Sequence, residues 1–361
     1  MINTKFFPFF QAVLGALLFL GLLNSGCLAQ APVQGQSQPV VSVDNQTPAQ
    51  PSRVFKVAAV GDIMMGTENL LPPDGGAGFF KDVAPYLKDR DLVIGNLEGP
   101  LTDRGAPTKT IVAGRSYCFR TPPSYGQHLK TAGFTAMSLA NNHANDYGPE
   151  GRAQTVEVLE SLGIQHAGAP GQVTVFKAGD REVAFLALAP NRNCQNINDI
   201  QGAVNLVKVA LRENPERLVV VSFHGGAEGT AHMAVPHGPE VYLGENRGDL
   251  INLSHSLIEA GAAAVIGHGP HVPRAVEVYK GHLIAYSLGN FATASGINVK
   301  GATGLAPLLL FDLDEAGQLV DYEIVSFRQQ MNKGPKLDPS REAAKVIGDL
   351  SERLAKELAA K

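Results

Sequence analysis

The sequence predicts an α/β fold built on mixed sheets, and three observations predict it. Apolar or β-branched runs of strand length alternate with stretches of helical spacing, the pattern of a largely parallel centre. Three further pairs of runs flank short glycine-containing turns and predict antiparallel hairpins at the sheet edges. The chain has 361 residues, 44% hydrophobic and 18% charged, which is ample for a large core.

The elements follow in order. Residues 54–60 are a β-branched strand that Gly61-Asp62 stops. Residues 79–87 have helical spacing around Pro85. A short strand over 91–94 ends at Gly95-Asn96, and a helix over 124–132 ends at Gly133. The strand over 134–140 stops at Asn141-Asn142-His143. A helix over 150–162 opens after Gly148-Pro149 and closes at Gly163. Residues 173–176 and 182–189 form the first hairpin, and 199–212 a helix. The most apolar strand, 217–223, runs into His224-Gly225-Gly226. A helix over 249–260 stops at Gly261, and the run 262–266 leads into Gly267-His268-Gly269-Pro270-His271. Residues 275–279 and 282–287 form a second hairpin, 305–313 and 318–327 a third, and 339–360 a terminal amphipathic helix.

The ends of the chain differ in character. Residues 1–29 hold Lys5, an apolar run and Cys27-Leu28-Ala29, the pattern of an export signal or membrane anchor. Three fates stand open: cleavage after Ala29, lipidation at Cys27, or an uncleaved anchor. Residues 30–53 are rich in Gln, Pro and Ser and read as a flexible linker, so the globule spans 54–361. An extracytoplasmic, envelope-associated location is therefore expected. Cys118 and Cys194 have two readings, a disulfide or two buried thiols. Net charge is −4 and no dense Lys/Arg tract is present, which argues against a nucleic-acid partner.

Ligands in such folds gather at the carboxyl ends of strands. Polar groups collect there in this chain: Asp62, Asn96 with Glu98, Asn142 with His143, His224, His268 with His271, and Asn290. Each has a plainer reading, an Asx turn for Asp62 or a helix cap for Asn145 or Asp146. Their order along the chain favours a metal site, because imidazoles mixed with hard oxygen donors suit Mn, Fe, Zn or Mg. Two bridged ions about 3.5–4 Å apart would activate water for an in-line displacement.

Several of these segments, taken together, resemble the CapA family of capsule (poly-γ-glutamate) biosynthesis proteins. They are Val60-Gly61-Asp62-Ile63-Met64, Gly95-Asn96-Leu97-Glu98-Gly99-Pro100, Tyr117-Cys118-Phe119-Arg120-Thr121-Pro122-Pro123, residues 138–148 around Asn142-His143, and Tyr286-Ser287-Leu288-Gly289-Asn290-Phe291. That family looks like a branch of the calcineurin-like metallophosphoesterases. The resemblance implies a four-layer α/β/β/α sandwich and one or two divalent ions. It implies Asp62, Glu98, Asn142, His224, His268 and His271 as metal ligands, and His143 with Asp146 as catalytic groups. It implies Arg120, Asn96 and Asn290 as substrate-binding groups. The chain departs from the family pattern at His224-Gly225-Gly226, where the family has His-Trp-Gly, and at the His268 turn, which is one imidazole short. The function so implied is a metal-dependent hydrolase or transferase acting on an anionic polymer or phosphoester, beside a membrane-bound capsule synthesis complex. The alternative is a non-catalytic polymer-binding component.

Overall fold

Two mixed sheets face each other, and each takes strands from both halves of the chain. The computed structural model describes residues 53–67, 70–112, 116–294 and 296–360. The expected export segment and all of the linker but Arg53 lie outside the described residues. Among the described residues no helix is long and apolar enough to cross a membrane.

The first sheet has the order Gly334–Leu337, Leu319–Gln330, Leu305–Leu313, Phe55–Met64, Leu92–Leu97, Ala136–Ser138, Gln165–Ala167, with Asn290–Thr293 also pairing with Phe55–Met64. Its right half is parallel and its left half antiparallel. The second has the order Val276–Tyr279, His282–Ala285, Ala264–His268, Leu218–His224, Arg181–Ala189, Thr174–Ala178, with Gln195–Asn196 on Arg181–Ala189. The three predicted hairpins are all present.

The packing makes this a four-layer α/β/β/α sandwich, as expected. Val57, Ala59 and Ile94 of one sheet share a buried core with Phe185, Val220 and Ile266 of the other. Alternate residues of the first sheet, such as Val60 and Val93, pack outward on Leu129 and Leu159 of the helices Gly126–Ala132 and Gly148–Ser161. Val219, Val221 and Val265 of the second sheet pack on Val207 and Leu253 of the helices Ile200–Glu213 and Leu250–Glu259. The central strands are thus apolar on both faces, which is why they read as continuous runs. Asp199 and Asp249 start the last two helices by accepting from the amides of Gly202 and Asn252.

Several elements differ from expectation. The strand expected over 91–94 runs through Gly95-Asn96 as Leu92–Leu97, and the one expected over 134–140 is only Ala136–Ser138. The strands Gln165–Ala167, Asn290–Thr293 and Gly334–Leu337 are additional to those expected. The helix expected over 79–87 is only Ala84–Leu87, preceded by turns. Pro85 sits in its first turn, the place where a missing N–H costs nothing, so the helix starts at the proline rather than running through it. The first strand does not stop at Gly61-Asp62 but continues to Met64. Its register with both parallel neighbours shifts beside Asp62, and the Asp62 amide donates to Gly289 O at 2.8 Å. Such irregularities re-aim side chains near functional sites.

Gly61 is what allows that approach. A Cβ there would lie 2.1 Å from Gly289 O and 2.6 Å from Leu288 O. Gly61→Ala is expected to cost about 1–3 kcal/mol, the usual range for overpacking. Gly348→Ala, where a Cβ meets nothing within 4 Å inside the helix Glu342–Ala359, should gain about 0.5–1 kcal/mol. Urea unfolding of the two variants checks both signs.

Candidate metal centre

The carboxyl ends of the parallel strands of both sheets meet at one point. Asp62 projects from the first strand, Asn96 from its neighbour, and Asn290 from the strand on the other side; all three are in register. Glu98 follows Asn96 directly after that strand ends. From the facing sheet, His224 and His268 are the paired last residues of adjacent strands. His271 follows in the turn, held at φ +57°, an uncommon conformation for a residue with a side chain.

Asp62 is the hub and is fully buried. Its Oδ1 accepts from Asn96 Nδ2 at 2.8 Å, and its Oδ2 lies 3.0 Å from His271 Nδ1. His268 Nδ1 stands 3.5 Å from Oδ1. Glu98 Oε2 accepts from Asn96 Nδ2 at 2.6 Å and lies 3.4 Å from His224 Nε2. Burial alone would raise the Asp62 carboxyl, but the hydrogen bond of His271 and the nearby imidazoles of His271 and His268 hold it well below the usual carboxylate range. Burial likewise opposes Glu98 ionisation, and the charge of His224 reverses it, so Glu98 is also lowered. Burial disfavours the His271 cation, yet the Asp62 carboxylate, helped by Glu98 and Glu228, pushes it up to about 10. The His271 cation thus offsets one of the two carboxylate charges and leaves the cluster net negative, which suits a divalent cation.

The donor set fits a divalent ion. One ligand atom from each of Asp62, Glu98 and His224 falls within 4.8 Å of the others. Glu98 Oε1, both ring nitrogens of His224 and His268 Nδ1 are buried with no hydrogen-bond partner. Leaving such atoms unmet costs about 1–3 kcal/mol each, and a cation would meet Glu98 Oε1, His268 Nδ1 and one of the two ring nitrogens of His224. Asn142 Oδ1 is buried and unpartnered in the same way.

A second cluster adjoins the first. His143 Nδ1 lies 2.6 Å from Asp146 Oδ2, and the Phe119 ring packs on the imidazole at 4.1 Å. Buried Asp146 also accepts from the Phe119 amide at 2.7 Å and from Lys109 Nζ at 2.6 Å. With Nδ1 taken, Nε2 is the His143 ring nitrogen left for the cleft that His143, Asn142 and His271 line.

Three residues expected to bind substrate are placed as follows. Asn96 and Asn290 are fully buried. Asn96 bridges the two carboxylates and accepts from Asn141 Nδ2 at 2.9 Å. Asn290 Oδ1 lies 2.9 Å from His271 Nδ1, and its amide donates to His271 O and Thr303 O. Both amides orient candidate ligands, as partners behind a metal usually do. Arg120 does not line the cleft; its guanidinium lies 4.4 Å from the centroid of the Tyr147 ring. Cys118 and Cys194 are two buried free thiols.

Residues not singled out beforehand also take part. Asn141 ties the turn after Ala136–Ser138 to Asn96 and to Leu97 O. Lys109 meets Asp146 from 37 residues away, which no local pattern shows. Glu228 sits four residues after His224 in a glycine-rich loop, the one sequence signal that pointed toward it.

The model of the family described as bacterial capsule synthesis protein PGA_cap matches residues 56–295. The capsule biosynthesis protein CapA of Bacillus anthracis is 30% identical over 259 residues, 66% of this chain and 59% of that protein. The PGA biosynthesis protein CapA of Bacillus subtilis is 28% identical over 260 residues, 67% of this chain and 64% of that protein. The matched region thus spans about three fifths of the length of these curated relatives. A probable polyglutamine synthesis accessory protein of Mycobacterium tuberculosis is 25% identical over 299 residues, 66% of this chain and 74% of that protein. Among solved structures, a 5'-nucleotidase precursor from Thermus thermophilus is similar with a TM-score of 0.45 at 13% identity, over 84% of this chain and 59% of that one.

Proposed function

This chain belongs to the bacterial capsule synthesis protein family, and from that premise we propose that it is an exported, metal-dependent hydrolase or transferase acting on an envelope polyanion of the poly-γ-glutamate type or on a phosphoester. The observation that carries the reading is the set of buried, unpartnered donor atoms on Glu98, His224 and His268 around Asp62. Asp62, Glu98, His224 and His268 would hold the ion, with His271 and Asn142 at its cleft side. A divalent ion held there supplies Lewis acidity and activates water for attack.

The remaining steps belong to the chain's own residues. Asp146 accepts the Nδ1 proton of His143 and so fixes its tautomer. In the imidazolium form, whose charge the Asp146 carboxylate offsets, His143 Nε2–H is placed to give its proton to a leaving group in the cleft while the ring keeps its Nδ1 proton. Lys109 and the Phe119 amide hold Asp146 itself in place. Among the described residues no lysine or arginine lines the cleft, so a polyanion would meet the site through the ion rather than through a basic surface. The export segment would put this chemistry outside the cytoplasmic membrane, beside the polymer synthesis complex.

The test is turnover. Full-length protein is incubated with a chromogenic phosphodiester and, separately, with poly-γ-glutamate. Cleavage or transfer is expected to vanish with EDTA and to return with Mn²⁺. Retention of polymer that survives chelation, with no bond broken under any metal, would replace this reading with the non-catalytic polymer-binding one.

A further inference from the structure

A cleft of about 310 Å³ opens beside the metal centre, with Asn142, His143 and His271 among its lining residues. Tyr117 and Phe119, stacked with centroids 6.0 Å apart, line it from the segment before Arg120. Glu228 and Tyr242 line it from the loop after His224. Among the described residues that line the cleft, Glu228 is the only carboxylate, and there is no lysine or arginine.

Glu228 is a built feature rather than a solvated surface charge. Its Oε1 accepts from Arg247 Nη2 at 3.0 Å, and its side chain is 23% exposed. Arg247 is buried, lies 2.6 Å from Glu245 Oε2, and has its guanidinium 5.7 Å from the centroid of the Tyr242 ring. This clamp fixes the direction of the Glu228 carboxylate. Its Oε2 accepts no hydrogen bond among the described residues, so it has capacity for further donors. With His271 engaged by Asp62 and Asn290 at the metal centre, Glu228 is the charged group left to a ligand in the cleft, and a carboxylate set among tyrosine and phenylalanine faces attracts an ammonium.

We infer that this cleft receives a protonated primary amine, with Glu228 as its acceptor. The substrate would then be zwitterionic across the site, with its electrophilic group at the metal centre and its ammonium against Glu228. The inference rests on the proposed reading of the same site and narrows it to substrates carrying a free amine. The amino end of a glutamyl chain and an amino sugar share that chemistry.

Calorimetry on full-length, Mn²⁺-loaded protein tests it with γ-glutamylglutamate, its N-acetyl form, glucosamine and N-acetylglucosamine. Acetylation of the preferred compound is expected to weaken binding by about tenfold or more, the scale of one charged hydrogen bond. In Glu228→Gln the acetylated and free forms should bind within about twofold of each other, as the two changes remove one interaction. Whichever compound shows the acetylation effect identifies the source of the amine. Equal binding of free and acetylated forms to wild type overturns the inference, and that comparison needs no variant. A preference for the amine undiminished in Glu228→Gln overturns it too, as does binding of none of the probes. A Glu228-dependent preference in a protein that takes up no metal would keep the cleft assignment and remove the metal-dependent reading.

Discussion

Asp62→Ala in the full-length chain should lower Mn²⁺ affinity by more than about 100-fold, and Asn96→Ala by about 10–100-fold. The second range is the usual effect of removing a group that orients a ligand, and losing the ligand itself must exceed it. The order follows from the contacts. Asp62 touches the Asn96 amide and the imidazoles of both His268 and His271. Asn96 touches no ion but sets both carboxylates with one amide group, at 2.8 Å and 2.6 Å. Its loss would free Asp62 and Glu98 to rotate while leaving both donors present. Equilibrium dialysis with metal analysis by mass spectrometry reads the two affinities. Asp62→Ala protein that keeps one tightly bound ion per chain would place the metal elsewhere. Equal losses in the two variants would make Asn96 a ligand rather than a support.

Glu240→Ala is expected to destabilise the protein by about 3–5 kcal/mol, the cost of leaving a buried charge without its partner. Arg274 is completely buried and donates to both oxygens of Glu240, at 2.7 Å and 2.9 Å. It also donates to His232 O and Ala227 O, while Glu240 Oε2 accepts from the Ala227 amide. The pair therefore ties the loop that carries Glu228 and Tyr242 to the segment just after His271. An ion pair of similar length, Arg104 with Glu157 at 2.8 Å, has side chains more than half exposed. Glu157→Ala should cost less than about 1 kcal/mol, since water screens that pair and solvates the survivor. Burial, not distance, separates the two expectations. Chemical unfolding of both variants decides the point, and equal costs would contradict it.

Much of the candidate site was legible because its residues sit where strands end. An apolar run that breaks at Asp62, His224 or His268 marks a change from core to opening, and that mark is local. The His268-Gly269-Pro270-His271 turn and the Asn142-His143 turn carried the same mark. Roles were less legible than positions. Asn96 and Asn290 look like exposed strand-end amides in sequence, yet sheet pairing buries both beside the candidate ligands they touch. Arg120 lies in a motif that suggested an anion fork, but the fold lays it on Tyr147. Nothing near Lys109 or Glu240 in sequence announces Asp146 or Arg274 as its partner, because loops that follow different strands bring these pairs together.

The sequence by itself determined the alternation of strands and helices, the three hairpins, and the series of polar groups at the carboxyl ends of buried strands. These depend on side-chain patterns over a few residues, on helix-ending glycines and on turn chemistry, all of which act locally. Only the tertiary structure decided that the groups converge. Asp62 and His271 are 209 residues apart and come from opposite sheets, yet one hydrogen bond joins them. The bulged approach of the first strand to Gly289, the pairing of Asp62 with Asn96 and Asn290, and the seal around Glu98 all follow from register between distant strands. Register is set by the packing of two sheets against each other, and that is a property of the whole chain rather than of any window along it.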